Sequence, residues 1–307
     1  MADGGTGDQT PDGRRTLPDG WTIGLFLLLT VLLSTPFWIS AIATHIGSTY
    51  YTVGVMWAPG LSAILALNFR RQDLGALGLG TFGGRFALIG YGLPLLYCTI
   101  AYGLTWMLGF GGFPDPAEVA RIKVQLGWRF DSPLTTILLY LVLVASTGVI
   151  PALARALGEE IGWRGLLAPK LVGSLGFFRG ALLAGLIWSA WHVPLLAWGN
   201  YHSSAPRWFA LACFTVMVVG LSFLLTWLRL RSCSVWPCAL LHACHNVLIQ
   251  SFFTPLTSDR GTITAYTIDE FGFAVPAVVL LFAAFTWHSP FSSNGGSSKS
   301  GAQVKRG

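Results

Sequence analysis

The sequence predicts an all-α, polytopic integral membrane protein with about eight transmembrane helices. Of its 307 residues, 53% are hydrophobic and only 10% are charged, whereas soluble domains carry about 25% charged residues. The apolar residues also occur in runs of roughly 20, the length that an α-helix needs to cross a bilayer. So few charges could not cover so much apolar surface in a soluble fold, and a large soluble enzyme is therefore disfavoured.

Eight apolar segments are the candidate spans. The first begins at Trp21 and is about 24 residues long. It is longer than the roughly 7–15-residue core of a signal peptide, so we expect it to be retained. The connection after residue 110 is the longest, and Ala117–Leu126 within it is predicted to be a short interfacial helix. The predicted spans are residues 21–44, 51–69, 86–110, 134–157, 181–198, 207–228, 235–254 and 271–288.

The chain divides into one membrane domain and two tails. Residues 1–20 and 289–307 are rich in small and polar residues and contain no apolar run, so both are predicted to be disordered. Residues 21–288 are predicted to form one polytopic domain.

The lysine and arginine residues predict the orientation of this domain. If the N-terminus is cytoplasmic and all eight segments span the membrane, 14 of the 19 lysine and arginine residues lie on the cytoplasmic side. Because basic residues are enriched in cytoplasmic loops, both tails are predicted to be cytoplasmic. Nothing in the sequence suggests an organelle-targeting segment, so a bacterial plasma membrane is expected. This distribution explains the net charge of +6 without a nucleic acid partner. The five cysteines lie mostly in apolar runs without a paired CxxC spacing, so neither a disulfide framework nor a zinc ribbon is expected.

The first group of ionisable residues in the apolar segments is Glu159, Glu160 and Arg164. Such a residue at the centre of a membrane helix costs roughly 2.5–3.5 kcal/mol on insertion scales, so it indicates a function or a partner. Glu160 and Arg164 are four residues apart and can pair on one helix face. Glu159 is rotated by about 100° from Glu160 and can point elsewhere, with its carboxylate available for chemistry. The alternative interpretation is an ordinary charged helix end at the cytoplasmic face.

Two further groups contain histidine. His192 lies in the fifth predicted span, with Trp188 one turn earlier on the same face and Pro194 placed to bend the helix. His242 and Asn246, in the seventh predicted span, are four residues apart and share a face. Taken alone, the first group would indicate a buried structural histidine and the second a hydrogen bond between helices. His245 is expected on the flank of its helix, and no role is predicted for the remaining histidines, which are His45, His202, His245 and His288.

The predicted depths bring the three groups to one level. At 1.5 Å per residue, Glu159, His192 and His242 lie about 16, 18 and 15 Å from the cytoplasmic face. These depths require the helix of the fourth span to continue from residue 134 to about Pro169, which is too long for one straight span. We therefore predict a break near Pro151.

The three groups resemble the motifs of the CAAX-protease and bacteriocin-processing family, also called the Abi family, which includes the Ras-converting prenyl endopeptidase. The family pattern is EExxxR, then FxxxH, then HxxxN, on separate membrane helices. Order and spacing match over residues 158–246, within a predicted family core of 134–254, and the departure is a tryptophan where phenylalanine is usual. The matching residues are Glu159-Glu160-x3-Arg164, Trp188-x3-His192 and His242-x3-Asn246.

The resemblance implies an intramembrane endopeptidase whose site lies inside the helical bundle and opens to the cytoplasm. Glu159 would activate a water with the help of His192, and His242 and Asn246 would form an oxyanion hole. A carboxylate that can act as a general base and donors in a dry site suit these roles. The supporting residues would be Glu160, Arg164 and Trp188.

The resemblance leaves open whether a metal takes part, because the family has also been described as metalloproteases. Two histidines and one glutamate form a catalytic zinc set, and here the ligands would be Glu159, His192 and His242. No HExxH sequence is present. We therefore expect no cofactor and a glutamate-activated water, with zinc as the alternative.

Two other functions remain open from the sequence. Buried glutamate and histidine also form the proton relays of transporters, although we find no internal repeat of the kind that many carriers have. The chain could also be a non-catalytic membrane scaffold or immunity factor that keeps the site for binding. For the peptidase, the expected partners are the lipid bilayer and a peptide or protein substrate, such as a prenylated CAAX tail, a bacteriocin leader or a signalling peptide.

Overall fold

The computed structural model describes residues 19–44, 49–129, 131–199 and 201–287. In these ranges the regular structure is helical, apart from one isolated bridge between Gly112 and Ser258. The predicted all-α membrane fold is confirmed, because six of the helices are long and apolar enough to cross a bilayer. The predicted tails lie outside the described residues, except for Asp19 and Gly20 at the start of the first helix, and so do His45 and His288.

The first four helices form an antiparallel hairpin, a third span and a short surface helix. They are α1 (Asp19–Thr44), α2 (Thr49–Phe69), α3 (Arg85–Met107) and α4 (Pro116–Leu126). α1 and α2 pack side by side. The helix predicted over Ala117–Leu126 is present as α4, which begins where the Asp115 side chain accepts a hydrogen bond from the Glu118 N–H.

The fourth span is one helical run of 43 residues with two π-helical turns. It therefore continues past residue 157, where the apolar pattern placed its end. The predicted break near Pro151 lies one turn earlier, because a proline lacks an N–H and its ring crowds the carbonyl four residues before, at Thr147. The run consists of α5 (Pro133–Leu143), a π turn (Val144–Gly148), α6 (Val149–Glu160), a second π turn (Ile161–Leu167) and α7 (Ala168–Leu175).

Two long spans and three shorter helices complete the bundle. The long spans are α8 (Phe177–Trp198) and α9 (Arg207–Ser232). A π turn at Ile249–Phe253 extends the first of the shorter helices. The shorter helices are α10 (Trp236–Leu248), α11 (Thr262–Thr267) and α12 (Ala274–Trp287).

The predicted count of eight spans is not reached within the described ranges, where six helices have the length and composition of a span. The predicted seventh span is α10 with its π turn, in which His242, His245, Asn246 and Gln250 lower the hydropathy. The predicted eighth span is the 14-residue helix α12. At 1.5 Å per residue α12 is about 21 Å long, shorter than the roughly 30 Å hydrocarbon core.

The bundle has two different ends. The basic end carries the connections after α2, α7 and α9, and the Arg229 side chain holds it together by donating to the carbonyls of Ala76, at 2.7 Å, and Arg164, at 3.1 Å. α12 also ends here, where Trp287 contacts Phe178. The loop end carries the connections after α1, α3, α8 and α10. The basic end is bordered by Arg70, Arg71, Arg85, Lys170, Arg179, Arg229 and Arg231.

Two glycines let α2 approach the long helical run closely. A Cβ on Gly158 would lie 2.8 Å from the carbonyl oxygen of Met56, and a Cβ on Gly162 would lie 2.6 Å from Pro59. Small residues permit such close helix contacts in membranes. The contact fixes the height of the intervening glutamates, Glu159 and Glu160, relative to α2.

Candidate active site

Glu159 lies in the last turn of α6 and is only 2% exposed. Its Oε2 accepts hydrogen bonds from two indoles, at 2.8 Å from Trp188 Nε1 and 3.3 Å from Trp163 Nε1. Both bonds reach the same oxygen, and Oε1 has no hydrogen bond to any described residue. The donors are neutral, so they orient the carboxylate without cancelling its charge.

Glu160 is fully buried and has charged partners. Its Oε1 accepts from Arg164 Nη1 at 3.1 Å, so the pair predicted from the sequence is present. The same oxygen lies 2.8 Å from Nδ1 of His242. Because a carboxylate oxygen accepts, Nδ1 carries the proton of this ring, and Nε2 is left for another contact. The two neighbouring glutamates therefore have different surroundings.

Trp188 is the side chain that joins the motif groups. In addition to its bond to Glu159, its ring lies under the Arg164 guanidinium, with Cζ 4.1 Å from the ring centroid. Its ring also meets the His242 ring edge to face, with centroids 5.3 Å apart. Finally, its carbonyl oxygen accepts from Nδ1 of His192 at 3.0 Å. The three motifs are thus in contact through one tryptophan.

His192 and Asn246 complete the predicted set. Both are half-buried. Because Nδ1 of His192 donates to a backbone carbonyl, Nε2 of the neutral ring is an acceptor. Asn246 lies one turn after His242 on α10 and lines the same cavity as His192.

A cavity of about 530 Å³ contains the predicted catalytic residues. Glu159, His192, His242 and Asn246 all line it, whereas Glu160 and Arg164 lie behind its wall. From this cluster the cavity extends toward the loop end. The residues that line it there are Ala41, Tyr51, Thr52, Tyr201, Gln250, Ser251 and Glu270.

The direction of this cavity bears on the predicted orientation. It extends to the loop end, whereas α12 ends, and α1 begins, at the basic end. Cytoplasmic termini and a cavity that opens to the cytoplasm therefore exclude each other. Arg155 was one of the 14 basic residues counted at the cytoplasmic side, but it lines the cavity one turn before Glu159, within the fourth span. The buried position of Arg164 removes a second residue from the count of basic residues at that side.

Sequence reasoning missed a second polar cluster on the cavity wall. Glu270 is 1% exposed, and its carboxylate accepts from the Tyr201 hydroxyl and from Nε2 of Gln250. His245, expected on the flank of α10, is instead 1% exposed and lines the cavity. The available signal was Glu270 itself, an acidic residue directly before the last apolar segment.

A zinc site would need Glu159, His192 and His242 to converge on one point. In the described ranges, no three His, Cys, Asp or Glu side chains are grouped so as to hold a metal ion. Within the named set, Nδ1 of His192 and Nδ1 of His242 donate to oxygens, which leaves Nε2 of each ring, with Oε1 of Glu159, as the atoms that could face a metal. As placed, the three side chains are not grouped for zinc, and no step below involves a metal.

The comparisons with known proteins match the region that carries the motifs. A family model described as Type II CAAX prenyl endopeptidase Rce1-like matches residues 134–248. The chain is also 22% identical over 223 residues to CAAX prenyl protease 2 of Methanococcus maripaludis, an alignment that covers 68% of this chain and 76% of the relative. The family match contains all three motifs, from Glu159 to Asn246, on helices that meet around one cavity. Both comparisons therefore support the resemblance of this chain to the CAAX-protease and bacteriocin-processing family.

Proposed function

We propose that this chain is an intramembrane endopeptidase that hydrolyses a peptide bond with a water activated by Glu159. The observation that carries the proposal is that Glu159, His192, His242 and Asn246 line one cavity, with Oε1 of Glu159 and Nε2 of His192 left without a partner among the described residues. Acceptors next to donors in a water-poor site are what hydrolysis of an amide requires.

In the proposed reaction, Glu159 and His192 act on the attacking water. The water oxygen bonds to the carbonyl carbon, and its proton passes to Oε1 of Glu159, while Nε2 of His192 accepts the second hydrogen bond and orients the water. The carbonyl oxygen becomes an oxyanion. The C–N bond then breaks, and the proton held by Glu159 passes to the leaving amine. Trp188 and Trp163 keep Glu159 aligned through their N–H groups.

His242 and Asn246 are the proposed oxyanion donors. Asn246 donates through its amide. Nδ1–H of His242 is directed to Glu160, so Nε2 donates only when the ring carries two protons. An imidazolium stabilises an oxyanion more strongly than a neutral ring does, because hydrogen bonds from a charged donor are roughly twice as strong.

Glu160 and Arg164 allow the His242 ring to be protonated without leaving a net charge in the buried cluster. With His242 protonated, the buried cluster contains two carboxylates and two cations, which balance. Glu160 Oε1 contacts both cations directly. We therefore assign Glu160 to holding His242 and Arg164 in place, and not to the attack on the substrate.

The proposed substrate is a peptide or protein that reaches a site inside the bundle. The relative from Methanococcus maripaludis is named a CAAX prenyl protease, and a prenylated tail is accordingly one candidate beside a bacteriocin leader and a signalling peptide. We keep cytoplasmic termini, based on the basic residues, and a plasma-membrane location as proposals. With that orientation the cavity opens away from the cytoplasm, and the expectation of a cytoplasmic opening is given up.

The test compares wild type with Glu159→Gln, each purified in detergent as the full chain, on a pool of fluorogenic peptides that includes prenylated ones. Glu159→Gln is isosteric, and removing the base should lower kcat by about 10²–10⁴-fold. The matched control is Glu118→Gln, a carboxylate on the surface helix α4 that pairs with Arg121, and it should retain activity. Full activity of Glu159→Gln would refute the assigned role. Activity that a chelator abolishes and added zinc restores would favour the metal alternative.

A further inference from the structure

A row of polar side chains leads from the proposed catalytic groups toward the loop end. α10 and its π turn place His242, Asn246 and Gln250 at four-residue intervals, so they follow one face. All three line the cavity, as does His245. Gln250 ends the row, where its Nε2 donates to Oε1 of Glu270 at 2.9 Å.

Glu270 at the end of this row is a buried carboxylate whose hydrogen-bond donors are neutral. Within the described ranges it forms no ion pair with a lysine or arginine. The basic group near it is His245, whose Nε2 is 3.9 Å from Oε1 of Glu270 and has no hydrogen-bond partner. Burial, followed by the charge of Asp269, raises the pKa of Glu270 above its ordinary value. Buried charges in proteins are normally paired, so this cluster lacks a cation.

We propose that Glu270, His245 and Gln250 form a subsite that binds a basic side chain of the substrate, and that lysine fits it best. The proposal rests on the peptidase function. An ammonium group has three N–H donors and no acceptor. The acceptors available to it are Oε1 of Glu270, the amide oxygen of Gln250 and Nε2 of His245, when Nδ1 of that ring donates to the Tyr97 hydroxyl 2.7 Å away.

The geometry of α10 sets the distance from this subsite to the reacting bond. His242 and Gln250 are separated by eight positions, which corresponds to about 12 Å along a helix. An extended peptide advances about 3.3 Å per residue. The lysine would therefore lie three or four residues from the scissile bond. Arg155, the other charged group that faces the cavity near Glu159, lies on α6 and forms no ion pair with Glu270.

The experiment measures binding, so that it does not depend on cleavage. The full chain with Glu159→Gln is titrated with pairs of labelled peptides that carry either lysine or its uncharged isostere norleucine, three or four residues to each side of the scissile position. We expect about a tenfold lower Kd for the lysine peptide at one of these positions, equivalent to about 1.4 kcal/mol. Adding Glu270→Gln should reduce the preference to less than about twofold.

Asp269→Asn provides the matched control. Asp269 is the neighbouring carboxylate, does not line the cavity, and has a left-handed backbone with φ of 72°, which asparagine tolerates. It should keep the lysine preference. Absence of any preference, a preference that survives Glu270→Gln, or an equal loss in Asp269→Asn would each overturn the subsite. A preference lost only in Glu270→Gln, together with a wild type that cleaves no peptide, would support the subsite and count against the peptidase.

A second measurement needs no variant and covers the case in which Glu270→Gln does not fold. A carbodiimide joins an amine directly to a carboxylate, so it should link the lysine peptide to Glu270 of the wild-type chain. Peptide mapping by mass spectrometry locates the link. Links only to other carboxylates, or none, would overturn the subsite.

Discussion

Replacing Trp188 by phenylalanine would test whether an indole N–H holds the proposed base. The change removes the 2.8 Å hydrogen bond to Oε2 of Glu159 and keeps an aromatic ring against Arg164 and His242. A hydrogen bond to a charged group contributes about 1.5–3 kcal/mol, and each 1.36 kcal/mol in the barrier changes a rate about tenfold. Because Trp163 still donates to the same oxygen at 3.3 Å, we expect kcat/KM to fall by roughly 10- to 100-fold, with most of the loss in kcat.

The assay is kcat/KM on one fluorogenic peptide, with the thermal midpoint in detergent measured on the same samples. Trp163→Phe, which removes the longer bond, should lose less activity than Trp188→Phe. Trp208→Phe, at a residue that is 72% exposed, is the control and should lose none. Unchanged kcat/KM in Trp188→Phe would refute the reasoning. A fall in activity that is accompanied by a lower thermal midpoint of the protein would assign the tryptophan to packing alone.

Three other predictions follow from the fold. Glu160→Gln should destabilise the protein by about 3–5 kcal/mol, because it leaves Arg164, which is 1% exposed, as an uncompensated buried charge; the thermal midpoint measures this. Gly162→Ala should cost about 1–3 kcal/mol by overpacking, since its Cβ would lie 2.6 Å from Pro59, and its thermal midpoint should also fall. Cys233, an exposed cysteine at the basic end, should resist a membrane-impermeant maleimide in intact cells and react after the membrane is permeabilised.

Each of these has a control and a contrary result. Glu159→Gln should lose less stability than Glu160→Gln, and equal losses would contradict the different surroundings of the two carboxylates. Gly173→Ala, where a Cβ meets nothing within 4 Å, should be neutral. Ser204→Cys, at the loop end in a Cys233→Ser background, should react in intact cells. Reaction of Cys233 in intact cells would place the basic end outside and the cavity mouth in the cytoplasm.

The membrane fold could be predicted because its main signal is local. The hydropathy of each apolar run can be read from that run alone, and the six longest helices were all predicted in this way. The predicted seventh span, residues 235–254, is present as α10 and its π turn, although its polar residues lower its hydropathy below that of the six longest helices. The apolar pattern alone ended the fourth span at residue 157, whereas the depths of Glu159, His192 and His242 extended it to about Pro169, closer to its observed end at Leu175. The apolar pattern does not record the two π turns within this run.

The sequence could predict the contacts of the candidate site that join residues on the same helix. Glu160 and Arg164 pair because they are four residues apart, and the sequence shows that directly. The bond from Trp188 to Glu159 joins residues 29 apart, and the bond from His242 to Glu160 joins residues 82 apart. These depend on how each helix is rotated in the bundle. His245 was misplaced for the same reason, since the cavity covers more than one face of α10.

The different roles of the two adjacent glutamates follow from what lies one turn after each of them. Glu159 is followed at four residues by Trp163, a neutral donor, and Glu160 is followed at four residues by Arg164, a cation. The second π turn begins directly after Glu160 and carries both partners. Helix packing adds a further pair of different partners, because Trp188 donates to Glu159 and His242 donates to Glu160. Glu160 therefore cannot take over the role of Glu159, because its hydrogen-bond partners are different. A chain with Glu159→Gln should gain no activity from the intact Glu160 beside it.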